Sequence, residues 1–163
     1  VRQLDVMPAV EADRPALEQL WTMFRHDMSA FTRALPDANG RFRQERLDTA
    51  LSDPAWACYL LRSEAIPVGF AIVRGLDRSE RVINSFFLVQ GARRAGNGRA
   101  AVRSISRSQP GSWAVAYQHA NVVAGRFWRS VAADADPRWS VTQEDVPGRP
   151  DLPGDSWVRF RVG

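Results

Sequence analysis

The stretch Ile83-Asn84-Ser85-Phe86-Phe87-Leu88-Val89-Gln90-Gly91-Ala92-Arg93-Arg94-Ala95-Gly96-Asn97-Gly98-Arg99 changes character twice. An apolar run, Ile83 to Val89, reads as a strand; Gln90 to Gly98 is rich in turn residues; Arg99 to Ser108 has helical composition. This order places a helix N-terminus directly beyond a strand. Backbone N–H groups gathered there, backed by the positive end of a helix, can cradle a pyrophosphate. Gly96 and Gly98 leave no side chain in the way, and Arg93, Arg94 or Arg99 would add charge-assisted bonds. Taken alone, the same residues also suit a loop that merely joins a strand to a helix.

Upstream, apolar residues at Leu17, Leu20, Trp21, Phe24 and Met28 mark one face of an amphipathic helix ending near His26-Asp27. Asp13 is positioned to cap it and Pro15 suits its first turn. Arg2 to Met7 reads as an edge strand, Pro36 to Gly40 as a turn, and Arg43 to Leu51 as a short second helix. Trp56 to Arg62 and Val68 to Arg74 form a hairpin whose tight connection contains Glu64 and Pro67, and Arg81 to Val89 follows as the next strand. Downstream come a strand at Trp113 to Tyr117 and a helix at Asn121 to Ala132. Closing strands near Trp139 to Thr142 and Trp157 to Val162 are separated by the loop Val146 to Gly154. The order predicts an α/β domain, mostly antiparallel in its first half, with a strand-helix-strand unit in the middle.

A chain of 163 residues fits one domain with one substantial core. All the basic residues are Arg and none is Lys, the formal net charge is +4 and the pI is near 10.4. The arginines are scattered, whereas a polynucleotide reader concentrates basic residues in a patch with stacking aromatics, so no nucleic-acid partner is expected. Cys58 is the sole cysteine and alternates with Trp56 and Leu60, which suits a small buried side chain rather than a nucleophile. With two histidines in all, no metal site is expected. No apolar run approaches the roughly 20 residues needed to span a bilayer, and the first residues lack a signal pattern. No membrane partner and a cytoplasmic location are the expectation.

A second stretch, Asn121-Val122-Val123-Ala124-Gly125-Arg126-Phe127-Trp128, follows the phosphate-loop candidate after one strand. Together the two resemble the signatures of the GNAT superfamily of N-acetyltransferases. Arg93, Gly96 and Gly98 match its acyl-CoA loop, and Asn121, Ala124 and the pair Phe127-Trp128 match its later helix. The likeness is firmest from Val68 to Val131. It implies a mixed, mostly antiparallel sheet flanked by helices, with two strands splayed to admit acetyl-CoA or another acyl-CoA. The loop Arg93-Arg94-Ala95-Gly96-Asn97-Gly98-Arg99 would hold the pyrophosphate. The main chain at Leu88 would bond pantetheine and polarise the thioester carbonyl, and Asn121 would touch the CoA arm or simply cap its helix.

By this resemblance the reaction is acetyl transfer to a small-molecule or peptide amine, and a homodimer is compatible with it. Two departures bear on mechanism. Asn84 and Ser85 occupy the strand where many members carry a Glu base, and Trp128 stands where a Tyr often protonates the leaving thiolate. Replacement proton carriers are His119, Tyr117 and, less centrally, Ser85. Imidazole titrates near neutrality, and positioning a neutral amine would itself supply much of the acceleration. His26 and Asp27 are candidates for contact with the acceptor. The missing Glu and Tyr also motivate an alternative, a weak or inactive acyl-CoA-binding module; a basic nucleic-acid-binding domain would rest on pI alone.

Overall fold

Alternating apolar residues organise the chain into a seven-stranded sheet in the order β1-β2-β3-β4-β5-β7-β6, with helices on both faces. The computed structural model describes residues 3–93 and 96–163. The strands are β1 (Asp5–Pro8), β2 (Trp56–Ser63), β3 (Ile66–Arg74), β4 (Glu80–Leu88), β5 (Gly111–Gln118), β6 (Ser140–Glu144) and β7 (Asp155–Val162). The helices are α1 (Arg14–Thr32), α2 (Glu45–Ser52), α3 (Asn97–Ser108) and α4 (Val122–Ala135). Every pairing is antiparallel except β4 with β5, because α3 carries the chain back across the sheet between them. Among the described residues no helix is long and apolar enough to cross a membrane.

The two sheet faces bury different helices. On one, Leu17, Leu20, Trp21 and Phe24 of α1 and Leu47 of α2 pack on Leu60, Phe70, Ile72 and Phe87. Trp21, Phe24, Phe70 and Phe87 meet at centroid distances of 5.3 to 6.2 Å. Such ring pairs add about 0.5–1.5 kcal/mol each to the stabilisation from burial. On the other face, Val102 and Ile105 of α3 and Trp128, Val131 and Ala132 of α4 cover Val73, Ile83, Trp113, Val115 and Val158.

Four local expectations are corrected. Asp13 precedes α1 but gives it no side-chain cap; its carboxylate accepts from Val10 N and from Arg62 Nη2, both at 2.9 Å. One local hydrogen bond, made backward to Val10, and one long-range ion pair thus occupy the carboxylate. The hairpin turn is Glu64-Ala65 alone, with φ of 50° and 69°, the left-handed geometry that twists with a two-residue hairpin. Pro67 instead lies inside β3, opposite Arg62, where the register shifts and a ladder N–H is dispensable. Finally, α1 continues to Thr32, so His26 and Asp27 lie within the helix rather than at its end.

Candidate functional site

The parallel pairing of β4 with β5 runs from Glu80↔Ser112 to Ile83↔Val115 and stops. Beyond that point β4 keeps its ladder with β3 as far as Leu88, and β5 keeps its ladder with β7 as far as Gln118. The two strands therefore part, opening a notch between their C-terminal ends. The cause is local: Ile83 faces Val73 and Ser85 faces Ile72, so Asn84 is an extra residue in β4. A bulge of this kind bends its strand and raises its twist. It occurs one residue past the last β4–β5 pair.

The notch presents backbone. Val89 N donates to Val68 O at 2.8 Å, so antiparallel alternation turns the amides of Leu88 and Phe86 away from β3, toward the notch. The Leu88 carbonyl accepts from Arg93 Nε at 2.7 Å, leaving Leu88 N–H as the group directed inward.

Beyond β4 a single 3₁₀ turn, Gln90–Ala92, leads to the loop, and Asn97 Nδ2 donates back to Ala92 O at 3.2 Å. Arg94 and Ala95 lie outside the described residues. Gly96 has φ 77°, a left-handed conformation that glycine adopts without strain, and it sends the chain into α3. Ala100 N bonds Gly96 O at 3.0 Å, so the N–H groups of Asn97, Gly98 and Arg99 precede the first helical bond and point out of the helix end. Gly98 is confined: a Cβ there would stand 3.2 Å from Phe127 Cε2 and 3.6 Å from Leu88 Cδ1. Arg93 and Arg99, at the two ends of the loop, are held by carboxylates. Arg93 Nη2 lies 2.6 Å from Asp27 Oδ2, with its guanidinium over Phe87, while Arg99 and Arg103 both pair with Asp134 of α4.

Asn121 caps α4, its Oδ1 accepting from Ala124 N at 3.1 Å. One turn on, Phe127 stacks on Phe86 of β4 and Trp128 meets the same ring edge-on. Trp128 is buried in the core. Tyr117 lies in the tail of β5 that β4 has left, beneath α4, packed so closely on Gly125 that a Cβ there would stand 2.9 Å from its ring. Its hydroxyl accepts from Arg129 Nε at 3.2 Å. His119 is exposed just past β5, with Nδ1 3.3 Å from Ser156 Oγ.

On the α1–α2 side of the notch, buried Ser85 donates to Asn84 Oδ1 at 3.0 Å. Arg46 of α2 reaches the same oxygen at 3.4 Å and lies over the Trp21 ring. His26 is exposed and does not converge with Asp27, which is occupied by Arg93. Cys58 is buried away from this cluster, and desolvation pushes its thiol up to about 12, which removes it as a nucleophile near neutrality. Among the described residues no group of three or more His, Cys, Asp or Glu side chains is placed to hold a metal ion.

No protein-family profile matches this chain, and no curated protein matches its sequence. Solved structures do match its fold. An acetyltransferase from Thermus thermophilus superposes with a TM-score of 0.74 at 18% identity, covering 99% of each chain. A GNAT-family acetyltransferase from Staphylococcus aureus Mu50 gives 0.67 at 10% identity, covering 98% of this chain and 99% of that one. A PaiA N-acetyltransferase from Thermoplasma acidophilum, in complex with coenzyme A, gives 0.66 at 9% identity, covering 99% and 100%. The chain has the GNAT fold, with matches that cover 98–99% of it.

Proposed function

We propose that this GNAT-fold protein is an N-acyltransferase that carries an acetyl group, or another acyl group, from coenzyme A to an amine. The observation that carries this reading is the notch. β4 leaves β5 after Ile83↔Val115, Leu88 N–H is directed into the opening, and the N-terminus of α3 stands at its mouth. A pyrophosphate suits the outward N–H groups of Asn97, Gly98 and Arg99. Arg93 and Arg99 would add charge after leaving Asp27 and Asp134, or act while still bound to them. A pantetheine arm suits the exposed edge of β4, and Asn121 serves first as the cap of α4.

The transfer is direct. The amine lone pair attacks the thioester carbonyl carbon, charge develops on the carbonyl oxygen, and the Leu88 N–H is the donor aimed at it. The C–S bond then breaks, the sulfur keeps the electron pair and takes a proton, and the nitrogen loses one. For the proton to sulfur we assign Tyr117. Arg129 donates to its hydroxyl oxygen, leaving the phenolic hydrogen free for another acceptor. His119, exposed beside Ser156, is the second candidate, and Ser85 is a polar wall residue bonded to Asn84. The acceptor approaches from the α1–α2 face, opposite the α3 loop.

A second reading, an acyl-CoA-binding module with little or no turnover, is favoured by buried Trp128 and by Asn84 at the bulge, neither of which can move a proton. Incubation with acetyl-CoA and a panel of amines, followed by release of thiol, tests the two against each other. Acceptor-dependent release supports the enzyme. Acetyl-CoA binding without release from any amine overturns it in favour of the module.

A further inference from the structure

Arg46 is a half-buried cation that forms no salt bridge among the described residues. The carboxylates of its neighbourhood are committed elsewhere: Glu45 pairs with Arg43, Asp48 with Arg14, and Glu18 accepts from Gln44 Nε2 at 3.0 Å. The polar contact of Arg46 is Asn84 Oδ1, and its guanidinium stands 5.3 Å from the centroid of Trp21. Arg25, one helical turn along α1 from Trp21, places a second guanidinium 5.9 Å from the same ring and is likewise without a carboxylate partner among the described residues. Its Nη1 donates to Arg43 O, at 3.3 Å.

Two like charges flanking one indole, each partly removed from water, are an unfavourable arrangement unless something compensates them. Cation–π contact favours each guanidinium but does not neutralise its charge. Burial lowers the pKa of both guanidinium groups, the charge of Arg25 lowers that of Arg46 further, and the charge of Glu45 offsets these effects only in part. The arrangement fits a site whose missing member is an anion.

We infer that Arg46, assisted by Arg25, binds a carboxylate on the acceptor, so that the amine substrate is of the amino-acid class. The inference rests on the acyltransfer reading above, which brings the amine to the apex of the notch. Arg46 touches Asn84, the residue at that apex, so the carboxylate and the amine can be only a few bonds apart. That spacing suits a free amino acid or a close analogue. An ordinary peptide N-terminus fits less well, because its neighbouring carbonyl is an uncharged amide. A guanidinium also pairs with a carboxylate through two parallel hydrogen bonds, which would orient the amine as well as bind it.

The test uses a panel of L-amino acids and their matched primary amides with acetyl-CoA, following thiol release, alongside calorimetry with acetyl-CoA alone. The wild-type protein should favour at least one acid over its amide by about tenfold or more in kcat/KM. In Arg46→Gln this ratio should fall to within about threefold of unity, mainly through KM, with acetyl-CoA affinity retained. Arg46→Lys keeps the charge and should keep part of the preference. If Arg46→Gln fails to fold, the wild-type ratio and Arg46→Lys still decide. Amides used as well as acids, a preference that survives Arg46→Gln, or no turnover of any acid by a protein that binds acetyl-CoA each overturns the inference. Failure of the wild-type protein to bind acetyl-CoA overturns instead the reading beneath it.

Discussion

Arg93 Nη2 lies 2.6 Å from Asp27 Oδ2 while Arg93 Nε donates to Leu88 O at 2.7 Å, so one guanidinium ties the last third of α1 to the end of β4. Both partners are half-exposed, and a pair of this kind contributes at most about 1 kcal/mol to stability. Its larger effect should be on the loop. Arg93→Ala is expected to weaken acetyl-CoA binding by about tenfold and Asp27→Asn by about threefold, with melting temperatures little changed. The double variant should match Arg93→Ala, giving a coupling of about 0.5 kcal/mol or more by calorimetry. Strictly additive losses would mean that Asp27 does not position Arg93 for the ligand.

The two loop glycines should respond differently. Gly96 has φ 77° and nothing within 4 Å of a built Cβ, so Gly96→Ala should cost about 1–2 kcal/mol of stability through backbone strain alone. At Gly98 an added side chain meets Phe127 and Leu88 and intrudes on the helix end. Gly98→Asp should reduce acetyl-CoA affinity by at least about tenfold, roughly 1.4 kcal/mol, with the fold retained by circular dichroism. Unchanged affinity in the folded variant would remove this loop from the binding site.

Tyr117→Phe deletes the hydroxyl held by Arg129 and leaves the ring against Gly125. If that hydroxyl protonates the leaving thiolate, kcat should fall about 10²-fold with acetyl-CoA affinity nearly intact. His119→Gln, which changes an exposed side chain, should have the smaller effect. A pH–rate profile that follows the acceptor's own pKa identically in wild type and both variants would show that positioning of a neutral amine suffices and would withdraw the role given to Tyr117.

Asp155 carries a pH dependence of determinable sign. Burial raises its pKa, because desolvation penalises the carboxylate form. A raised folded-state value means that Asp155 favours the fold most below its unfolded pKa of about 3.9, and that this contribution is lost as pH rises through the folded value. Asp155→Asn should therefore melt higher than wild type at pH 7, and the difference should vanish toward pH 3. A variant less stable than wild type at pH 7 would show that the carboxylate has a partner that offsets its burial.

Most of the fold was legible in the sequence because its elements are strongly periodic. Leu17, Leu20, Trp21 and Phe24 mark the buried face of α1, and the run from Ile83 to Leu88 with Gly96 and Gly98 marks the β4–α3 turn. Pairing was not legible. Asn84 reads as an ordinary polar strand residue, and only the register with β3 makes it a bulge. The Asp27–Arg93 pair joins residues 66 positions apart, so Asp27 looks in sequence like a contact for the acceptor. Arg46 lies on an ordinary short helix, and its lack of a salt bridge is visible only once Glu45, Asp48 and Glu18 are assigned to other partners. The clustering of Glu45, Arg46 and Asp48 signals an ion-pair layer without indicating which charge is left over. Asp13 does not cap α1 because its two carboxylate oxygens are taken by Val10 N and by Arg62, the latter remote in sequence.

The notch, the Leu88 amide and the α3 N-terminus have a common purpose only if acyl-CoA binds there, so the decisive experiment is calorimetric titration of the wild-type protein with acetyl-CoA. Saturable binding is expected at one site per chain, with a dissociation constant at or below tens of micromolar, corresponding to about −6 kcal/mol or better, and a loss of at least about tenfold in Gly98→Asp. No heat of binding and no protection against thermal unfolding at acetyl-CoA concentrations well above that range, in a protein shown to be folded, would contradict it.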